Sequence, residues 1–307
     1  MTICPITYEH CEKLYSKKGL NKLSRNLEFL HPLLFSSSEL RQEASRRVGK
    51  ISIQGVQPKL SARLNVKKHC FELVDKKGHY ILKPQIADYH QVPENEDLTM
   101  KLASMVSIDV PFHGLIYGKN SELTYFIRRF DRNLRNHKIH VEDFAQLSMK
   151  NRNTKYNSSM EQVIKTVEKF CTFPVVEKAK LFQITLFCFL TGNEDMHLKN
   201  FSMIYKEGIN LLSPSYDLLN TTIVLSSTTE ELALPLNGKK SKIKRQDLIN
   251  YFAMEKLKLN SKVIEKILLK FQNVFASWNQ LINISFLSDK NKSLYQNLIS
   301  SRYNRIF

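Results

Sequence analysis

Segment 192–200, GNEDMHLKN, brings several polar side chains together directly after an apolar stretch of the chain. Asp195 and Asn200 within it have the spacing D-x-x-x-x-N. In phosphoryl transfer, an aspartate orients the attacking hydroxyl and accepts its proton, and an asparagine five residues later holds a metal ion bound to the phosphates. The pair therefore indicates phosphoryl-transfer chemistry, although an ordinary turn held by Asx hydrogen bonds has the same residues.

Asp217, in the stretch SPSYDLL, is the second candidate carboxylate. Apolar residues at 201–205 and 209–212 flank the turn 206–208 and predict a short hairpin. A hairpin returns the chain to its starting point, so Asp217 should lie beside Asn200. The side-chain oxygens of these two residues suit Mg²⁺, whose remaining ligands would be phosphate and water. Taken alone, Asp217 is equally typical of a helix cap.

Lys83, at the end of the apolar strand candidate YILK, supplies a cation that can bind phosphate oxygens. Glu96, at the start of the acidic helix that follows, is the candidate partner that would hold Lys83 in place. Glu94 and Asp97 on the same turn are the alternatives. Any single lysine at a strand end is more commonly just solvated, but the acidic helix start that follows Lys83 favours the functional interpretation.

Segment 52–59, SIQGVQPK, predicts a turn between strands whose backbone amides could cover phosphates, although it lacks the G-x-G-x-x-G pattern. The chain thus contains, in order, a phosphate-covering loop, a strand lysine, a helix with a glutamate, a hinge-like strand, a catalytic Asp/Asn loop, a hairpin and a metal-binding aspartate. This is the order of parts in protein kinases. The protein-kinase motifs H-R-D, D-F-G and A-P-E are missing from the sequence, which excludes an ordinary eukaryotic-type kinase.

The periodicity of the chain predicts the elements that must position these residues. Residues 51–134 contain β-rich stretches around three turns, the second at 76–78 and the third at 118–120, and these predict three hairpins in an antiparallel sheet. One helix, PENEDLTMKLASMVS, interrupts that sheet, and a further helix is predicted at 38–47. Helical patterns dominate the second half of the chain, including VEDFAQLSM and the apolar stretch before Gly192.

We therefore predict an α+β fold of the two-lobed protein-kinase type. Residues 1–50 would form a helical appendage. Residues 51–134 would form a β-rich N-lobe that carries the phosphate-covering loop and Lys83. Residues 135–307 would form an α-rich C-lobe that carries the catalytic loop.

The chain of 307 residues has 46 Lys plus Arg against 29 Asp plus Glu, a formal charge of +17. Such a surplus favours polyanionic partners, which include nucleic acid, nucleotide phosphates and acidic protein surfaces. The 42% apolar content excludes disorder for most of the chain. The five cysteines lack the spacings of a zinc ribbon or a disulfide framework, which favours a reducing cytoplasm. No secretory-signal pattern is present, and the longest apolar stretch, 181–190, is too short to span a bilayer.

Eight stretches of the sequence resemble the HipA-like bacterial serine/threonine kinases, the toxins of toxin–antitoxin pairs. They run in the family's order from Ser52 to Lys240: SIQGVQPKLSA, YILKP, NEDLTMKLA, FIRRFDR, VEDFAQL, GNEDMHLKNFS, SPSYDLLNT and LALPLNGKK. The resemblance implies ATP and Mg²⁺ as cofactors. It implies that Asp195 is catalytic, that Asn200 and Asp217 bind the metal, and that Lys83 contacts the ATP phosphates.

The same resemblance implies further contacts with the nucleotide. They are Ser52, Gly55, Val56 and Gln57 in the phosphate-covering loop, Arg128, Phe130 and Asp131 in the hinge strand beside adenine and ribose, and His197 and Lys199 in the catalytic loop. It also implies that Ser52 is an autophosphorylation site. A phosphoserine carries about −1.5 to −2 charges at neutral pH and would repel the ATP phosphates, so it would favour an inactive loop.

Only 50 residues precede the loop, whereas full-length HipA-like toxins carry a longer N-terminal subdomain there. The chain is therefore similar to the short HipT type. That similarity implies a small antitoxin that supplies the missing subdomain, a helix-turn-helix antitoxin or repressor, and indirect association with DNA through the repressor. The implied activity is phosphorylation of an aminoacyl-tRNA synthetase on Ser or Thr in the cytoplasm, which inhibits translation and involves no membrane.

Two alternatives stay open at the level of the sequence. One is a catalytically silent kinase-like module that binds DNA or a repressor through basic runs such as 239–245. Solvated basic faces account for those runs equally well. The other alternative is a small-molecule kinase, because it would share most of the ATP-binding residues.

Overall fold

The structure is a computed structural model that describes residues 2–47, 57–133, 135, 137–151, 153–225 and 229–307. Ser52, Gly55 and Val56 of the predicted phosphate-covering loop lie outside this part of the chain. The chain forms two compact units: unit 1 comprises Met1–Leu98, Pro111–His137 and Asn283–Ser288, and unit 2 comprises Thr99–Val110, Lys138–Ile282 and Asp289–Phe307. The domain boundaries predicted after residues 50 and 134 stay a prediction.

Unit 1 contains a five-stranded antiparallel sheet. In spatial order its strands are Cys70–Leu73, Leu60–Asn65, Tyr80–Lys83, Leu123–Arg128 and His113–Tyr117. The hairpin predicted around 118–120 is confirmed, because the last two of these strands pair directly. Lys83 lies at the end of the central strand, where it pairs with Tyr125. A separate two-stranded sheet joins Thr2–Ile3 to His10–Cys11.

The hairpin predicted around 76–78 is wrong. Leu60–Asn65 lies between the two strands concerned and pairs with both of them. Gly78 lets the chain pass this middle strand, because a Cβ atom there would lie only 2.0 Å from Oγ of Ser61 and 3.0 Å from the carbonyl oxygen of Ala62. Only glycine permits so close an approach of two backbone segments, and a local sequence pattern does not reveal it.

Among the described residues, two helices precede the sheet, and a third follows the strand that carries Lys83. Lys17–Leu23 begins at Ser16, whose hydroxyl accepts a hydrogen bond from the N–H of Gly19. Ser37–Arg47 confirms the helix predicted at 38–47. Val92–Met105 has a proline and an acidic residue in its first turn, as expected at a helix N-terminus. The core of unit 1 joins these first helices to the sheet, and its fully buried members are Cys4, Leu40, Leu60, Ala62, Leu82, Ile116 and Phe126.

Unit 2 is mainly helical. Its α-helices include Phe144–Leu147, Met160–Phe170, Pro174–Thr191, Thr221–Leu225, Ser261–Asn283 and Asp289–Ile306, with a 3₁₀ turn at Leu198–Asn200 and a π-helix at Asp247–Lys256. Pro174–Thr191, which we call the core helix, is buried along most of its length because apolar residues occupy most of its circumference. The core helix ends directly before the candidate catalytic loop.

A three-stranded sheet follows that loop, in the order Ile209–Leu212, Ser202–Lys206, Val141–Asp143. The predicted hairpin is confirmed, with a two-residue turn in which both Glu207 (φ 50°) and Gly208 (φ 82°) are left-handed. The helix predicted in VEDFAQLSM is wrong at its start, because Val141–Asp143 pairs with Ser202–Lys206. Asp143 then caps the short helix Phe144–Leu147 in a capping box with Gln146, which fixes the boundary.

The described residues contain neither a disulfide bond nor a helix suited to span a membrane. All five cysteines are free thiols. Sγ of Cys171 lies 3.4 Å from Sδ of Met203 in the interior of unit 2. Within the described ranges, no helix combines the length and the apolar content that a membrane crossing requires.

Candidate active site

Gly192 ends the core helix and leads the chain into the candidate catalytic loop. Its φ of 74° is left-handed, and its N–H closes the last helical turn. A Cβ atom at this position would lie 2.5 Å from Cδ2 of Leu298, 2.7 Å from Oγ1 of Thr222 and 2.8 Å from Oδ1 of Asn220. Both the backbone conformation and the available space therefore require glycine here.

Residues from two later helices hold the loop in place. The carbonyl oxygen of Gly192 accepts hydrogen bonds from the N–H groups of Thr221 (2.9 Å) and Thr222 (3.2 Å). The carboxylate of Glu194 accepts hydrogen bonds from Oγ1 of Thr222 (2.6 Å) and from Nη2 of Arg302 (3.2 Å). Glu194 and Arg302 are only 8% and 4% exposed, so a buried ion pair ties the last helix to the loop.

Three hydrogen bonds fix the backbone around Asp195. Its N–H donates to Oδ1 of Asn193 at 3.1 Å. Its carbonyl oxygen accepts from the N–H of His197 at 2.8 Å and from Nδ2 of Asn200 at 2.8 Å. The side chain of Asp195, in contrast, is 49% exposed. The carboxylate therefore faces solvent from a rigid backbone, as a group that must meet a substrate hydroxyl requires.

Two ring side chains contact the carboxylate of Asp195. The hydroxyl of Tyr156 donates a hydrogen bond to its Oδ1 atom, and Nε2 of His197 lies 3.8 Å from the same atom. Burial lowers the pKa of His197, and the nearby Asp195 carboxylate offsets only part of that effect, so the imidazole is neutral at neutral pH. Sequence reasoning missed Tyr156, because it lies 39 residues before Asp195 and belongs to no motif.

Asn200 and Asp217 are connected through their immediate neighbours. The hydroxyl of Tyr216 donates a hydrogen bond to the carbonyl oxygen of Lys199 at 2.9 Å. The hairpin between these residues thus brings Tyr216, the neighbour of Asp217, against Lys199, the neighbour of Asn200. Asp217 has a φ of 55°, and a left-handed aspartate is a strained conformation of the kind often found at functional sites.

The chemistry of this pair fits a magnesium ion. Nδ2 of Asn200 is engaged by the carbonyl oxygen of Asp195, which leaves Oδ1 of Asn200 as the atom suited to a metal. Mg²⁺ usually takes one or two carboxylates and completes its shell with substrate phosphates and water. An Asn/Asp pair whose other ligands are phosphate oxygens and water is such a donor set.

Lys199, a predicted nucleotide contact, lies near a carboxylate of its own unit. Its Nζ atom is 3.6 Å from Oδ2 of Asp143, and its side chain is 29% exposed. A partly exposed ion pair of this length contributes little free energy. Lys199 can therefore leave Asp143 for a phosphate at small cost.

Lys83 forms a buried ion pair with Glu96 in unit 1. Its Nζ atom donates a hydrogen bond to Oε1 of Glu96, and the two side chains are 3% and 2% exposed. Nζ of Lys83 also lies 5.5 Å from the ring centroid of Tyr125 on the neighbouring strand. Of the alternative partners, Asp97 instead bonds to Nδ1 of His113 at 2.8 Å.

The predicted hinge residues are engaged with their own unit. The N–H of Arg128 donates to the carbonyl oxygen of Phe112 at 2.8 Å, and Phe130 is half-buried. Burial opposes ionisation of Asp131, but hydrogen bonds from Arg129 outweigh it and lower the pKa of Asp131. Asp131 is therefore a paired carboxylate, and a ribose hydroxyl would have to share it with Arg129.

Gln57 is the first described residue of the predicted phosphate-covering loop. Its Nε2 atom is buried and has no hydrogen-bond partner within the described ranges. A buried donor of this kind costs free energy until it meets an acceptor. Gln57 is thus a donor that suits a phosphate oxygen.

Comparison with known proteins identifies the family to which the chain belongs. The model of the HipA-like C-terminal domain matches residues 51–278. A Haemophilus influenzae protein named "Putative kinase" is 32% identical over 237 residues, which cover 72% of this chain and 68% of that protein. The Shewanella oneidensis serine/threonine-protein kinase toxin HipA is 29% identical over 191 residues, 56% of this chain and 43% of that protein.

Solved structures share the fold. The Shewanella oneidensis toxin–antitoxin complex of HipA, HipB and operator DNA contains a chain that matches with a TM-score of 0.69 at 21% identity, over 91% of this chain and 73% of that one. The Helicobacter pylori proinflammatory kinase CtkA matches with a TM-score of 0.53 at 15% identity, over 74% of this chain and 87% of that one. The predicted α+β fold of the two-lobed kinase type is thereby confirmed. Because the family model covers most of the chain, this protein belongs to the family of the HipA-like C-terminal domain.

Proposed function

We propose that the chain is an ATP- and Mg²⁺-dependent serine/threonine protein kinase. The observation that carries this proposal is the geometry at Asp195, a solvent-facing carboxylate on a backbone held by Asn193, His197 and Asn200. Positioning and electrostatics supply most of the catalysis in phosphoryl transfer, so a fixed carboxylate is what an acceptor hydroxyl needs. The kinase names of the relatives support the same proposal.

Each residue of the site has a distinct role in this reaction. Asp195 accepts the proton of a Ser or Thr hydroxyl while the hydroxyl oxygen bonds to the γ-phosphorus of ATP and ADP departs. Asn200 and Asp217 hold Mg²⁺, which, when bound, neutralises charge on the phosphate oxygens. Lys83, oriented by its buried pair with Glu96, binds phosphate oxygens.

The family resemblance extends the proposal to the remaining nucleotide contacts. These are Ser52, Gly55, Val56 and Gln57 over the phosphates, Arg128, Phe130 and Asp131 beside adenine and ribose, and His197 and Lys199 in the catalytic loop. The unfilled buried donor of Gln57 supports the first group. The neutral, largely buried His197 fits a role in shaping the loop better than a role as a charged phosphate ligand.

We propose that this kinase is a cytoplasmic toxin that phosphorylates an aminoacyl-tRNA synthetase and thereby inhibits translation, and that autophosphorylation of Ser52 switches it off. The Shewanella oneidensis HipA was solved with HipB and operator DNA. By analogy, we propose a helix-turn-helix antitoxin that links this chain to DNA, and a second small antitoxin that supplies an N-terminal subdomain. The family match supports these proposals, and the target remains to be found by phosphopeptide mapping of a cell extract.

Incubation with radiolabelled ATP and Mg²⁺ tests the catalytic assignment. The wild-type chain should label itself and dephosphorylated casein, an acidic protein acceptor, with self-label on Ser52 by mass spectrometry. Asp195→Asn and Asp217→Asn should each lower incorporation by at least about 100-fold, because they remove the proton acceptor and a metal ligand. Asp289→Asn changes a fully exposed carboxylate of the same unit and should match wild type.

Thermal unfolding of each variant provides the folding control. A variant that unfolds at the wild-type temperature but incorporates no phosphate has lost chemistry rather than structure. Undiminished incorporation by Asp195→Asn or by Asp217→Asn would refute the role assigned to that residue.

A further inference from the structure

Tyr156 meets Asp195 as a substrate hydroxyl has to meet it. Its hydroxyl donates a hydrogen bond to Oδ1 of Asp195. A catalytic aspartate receives the hydroxyl of a Ser or Thr acceptor through the same kind of bond. Burial and the hydrogen bond to Asp195 raise the pKa of Tyr156 above its usual value, so the phenol remains a donor at physiological pH.

The contact lies at the surface of unit 2. Tyr156 is 40% exposed, and the side chain of Asp195 is 49% exposed. Core packing therefore does not account for the position of the phenol. A single hydrogen bond at an exposed site has a small net strength, so an incoming hydroxyl can displace it.

Contacts that do not involve the hydroxyl keep the ring of Tyr156 next to the catalytic loop. The carbonyl oxygen of Lys155 accepts a hydrogen bond from the N–H of Leu198 at 3.3 Å. Nζ of Lys155 lies 4.9 Å from the ring centroid of Tyr156. The ring of Tyr156 also meets the ring of His197 edge-on, with centroids 4.9 Å apart. The ring therefore stays beside the loop when its hydroxyl leaves Asp195.

We infer that Tyr156 is an internal occupant of the acceptor site, whose hydroxyl competes with the Ser or Thr hydroxyl of the substrate for Asp195. This inference rests on the proposed function of Asp195. The substrate exchanges one hydrogen bond to Asp195 for another, so the occupant raises the acceptor concentration that is needed and leaves the chemical step unchanged. Because the occupant raises KM by the same factor for every acceptor, an acceptor needs additional contacts with the kinase to reach a low KM.

Tyr156→Phe tests the inference, because it removes the hydroxyl and keeps the ring on His197. With casein as acceptor and saturating ATP, KM for casein should fall about threefold to tenfold, while kcat stays within about twofold of wild type. Tyr205→Phe, a change at a tyrosine that is 48% exposed on the hairpin, is the matched control and should behave as wild type.

Three results would overturn the inference while the kinase activity stands. An unchanged KM would mean that the phenol does not compete. A fall in kcat would mean that Tyr156 positions Asp195 for catalysis. Phosphate found on Tyr156 by mass spectrometry would mean that this residue is itself an acceptor.

A second measurement does not depend on turnover. In protein labelled with carbon-13 at tyrosine Cζ, the Tyr156 resonance is identified by its absence in Tyr156→Phe. It should shift in Asp195→Asn and on addition of casein, whereas the Tyr205 resonance should not. A Tyr156 resonance whose chemical shift is the same in Asp195→Asn as in wild type would overturn the inference.

Failure of the proposed function gives a different pattern. The wild type and Asp195→Asn would then both leave casein unlabelled, although the Tyr156 resonance still responds to Asp195→Asn. That pattern would remove the acceptor role of Asp195 and, with it, the competition proposed for Tyr156.

Discussion

Three carboxylates on one turn of the helix after Lys83 have different surroundings. Glu96 pairs with Lys83, and Asp97 bonds to His113. One oxygen of Glu94 is buried with no hydrogen-bond partner among the described residues. Their sequence positions do not separate them as partners for Lys83, because all three follow the strand within one helical turn. The rotation of the helix against the sheet of unit 1 makes the choice.

Glu94 predicts a specific pH dependence of stability. Burial and, to a smaller extent, Asp97 raise the pKa of Glu94 to about 7 from a usual 4.5. The folded state therefore binds more protons than the unfolded state between these values, so the contribution of Glu94 to stability is present below pH 4.5 and is lost as the pH rises through 7. Glu94→Gln removes this loss. We therefore compare the free energies of unfolding of the variant and the wild type. The difference between them should change in favour of the variant by on the order of 2 to 3 kcal/mol between pH 5 and pH 8.

Urea unfolding at four pH values between 5 and 8 measures this difference. Glu28→Gln, which changes an exposed carboxylate of the same unit, is the control for the loss of one carboxylate. A pH-independent difference between Glu94→Gln and wild type would show that Glu94 ionises normally in the folded protein.

At the scale of elements, the candidate catalytic loop depends on the helices that flank it in space. The core helix fixes where the loop begins, and Arg302 of the helix Asp289–Ile306 fixes Glu194 through a buried ion pair. Nη1 of Arg302 also donates to the carbonyl oxygen of Phe189 in the core helix at 2.6 Å. The last helix lies beyond the part of the chain that the family model matches, yet it contacts the residue next to Asp195.

Gly192→Ala tests how strongly the helix end depends on glycine. The substitution forces an alanine into a left-handed conformation at φ 74° and places its Cβ atom 2.5 Å from Leu298. Gly238 has a similar φ of 71°, but a Cβ atom there would have no neighbour within 4 Å, so Gly238→Ala isolates the backbone cost. We expect Gly238→Ala to lower the free energy of unfolding by about 1 kcal/mol and Gly192→Ala to lower it by about 1 to 3 kcal/mol more.

Urea unfolding of the two variants measures this difference directly. Equal losses for both variants would mean that the atoms around Gly192 move aside freely. The tight packing assigned to the start of the loop would then be wrong.

At the scale of the whole molecule, some of the basic side chains behind the charge of +17 are engaged within the chain and are less available to a partner. The basic run 239–245 contains five Lys and Arg residues. Three of them bind groups of their own chain: Lys239 pairs with Asp247, Lys240 with Glu230, and Arg245 donates to the carbonyl oxygen of Ile306. Lys242 and Lys244 are exposed. Fewer basic side chains are therefore available to bind DNA than the composition of this run indicates, which weakens the hypothesis of a DNA-binding module.

Lys242→Glu/Lys244→Glu tests whether this surface docks an acidic acceptor. At 50 mM NaCl, KM for casein should rise about threefold, because two attractive charges become repulsive. At 300 mM NaCl the difference from wild type should shrink to less than about twofold, since screening shortens the range of exposed charges. Autophosphorylation should not change. An equal loss of autophosphorylation and casein phosphorylation would argue against docking. Lys239→Glu is unsuitable for this test, because Lys239 pairs with the buried Asp247 and its substitution would also disturb that contact.

The sequence by itself determined the types and the order of the candidate catalytic residues and several of their local elements. The hairpin after Asn200 followed from apolar strands around Glu207 and Gly208, and the core helix followed from a long apolar stretch. Such features depend on periodicity and turn chemistry within a few residues, so the sequence is sufficient to predict them.

Only the tertiary structure decided which distant residues meet. It placed Leu60–Asn65 between two strands predicted to be neighbours, chose Glu96 for Lys83, and brought Tyr156 to Asp195. These contacts follow from the packing of elements and from close backbone approach at residues such as Gly78, and neither leaves a periodic signal in the sequence. Motif spacing within a few residues was therefore enough to select Asp195, Asn200 and Asp217 as candidates, whereas the contact between Tyr156 and Asp195 could not be predicted from the sequence.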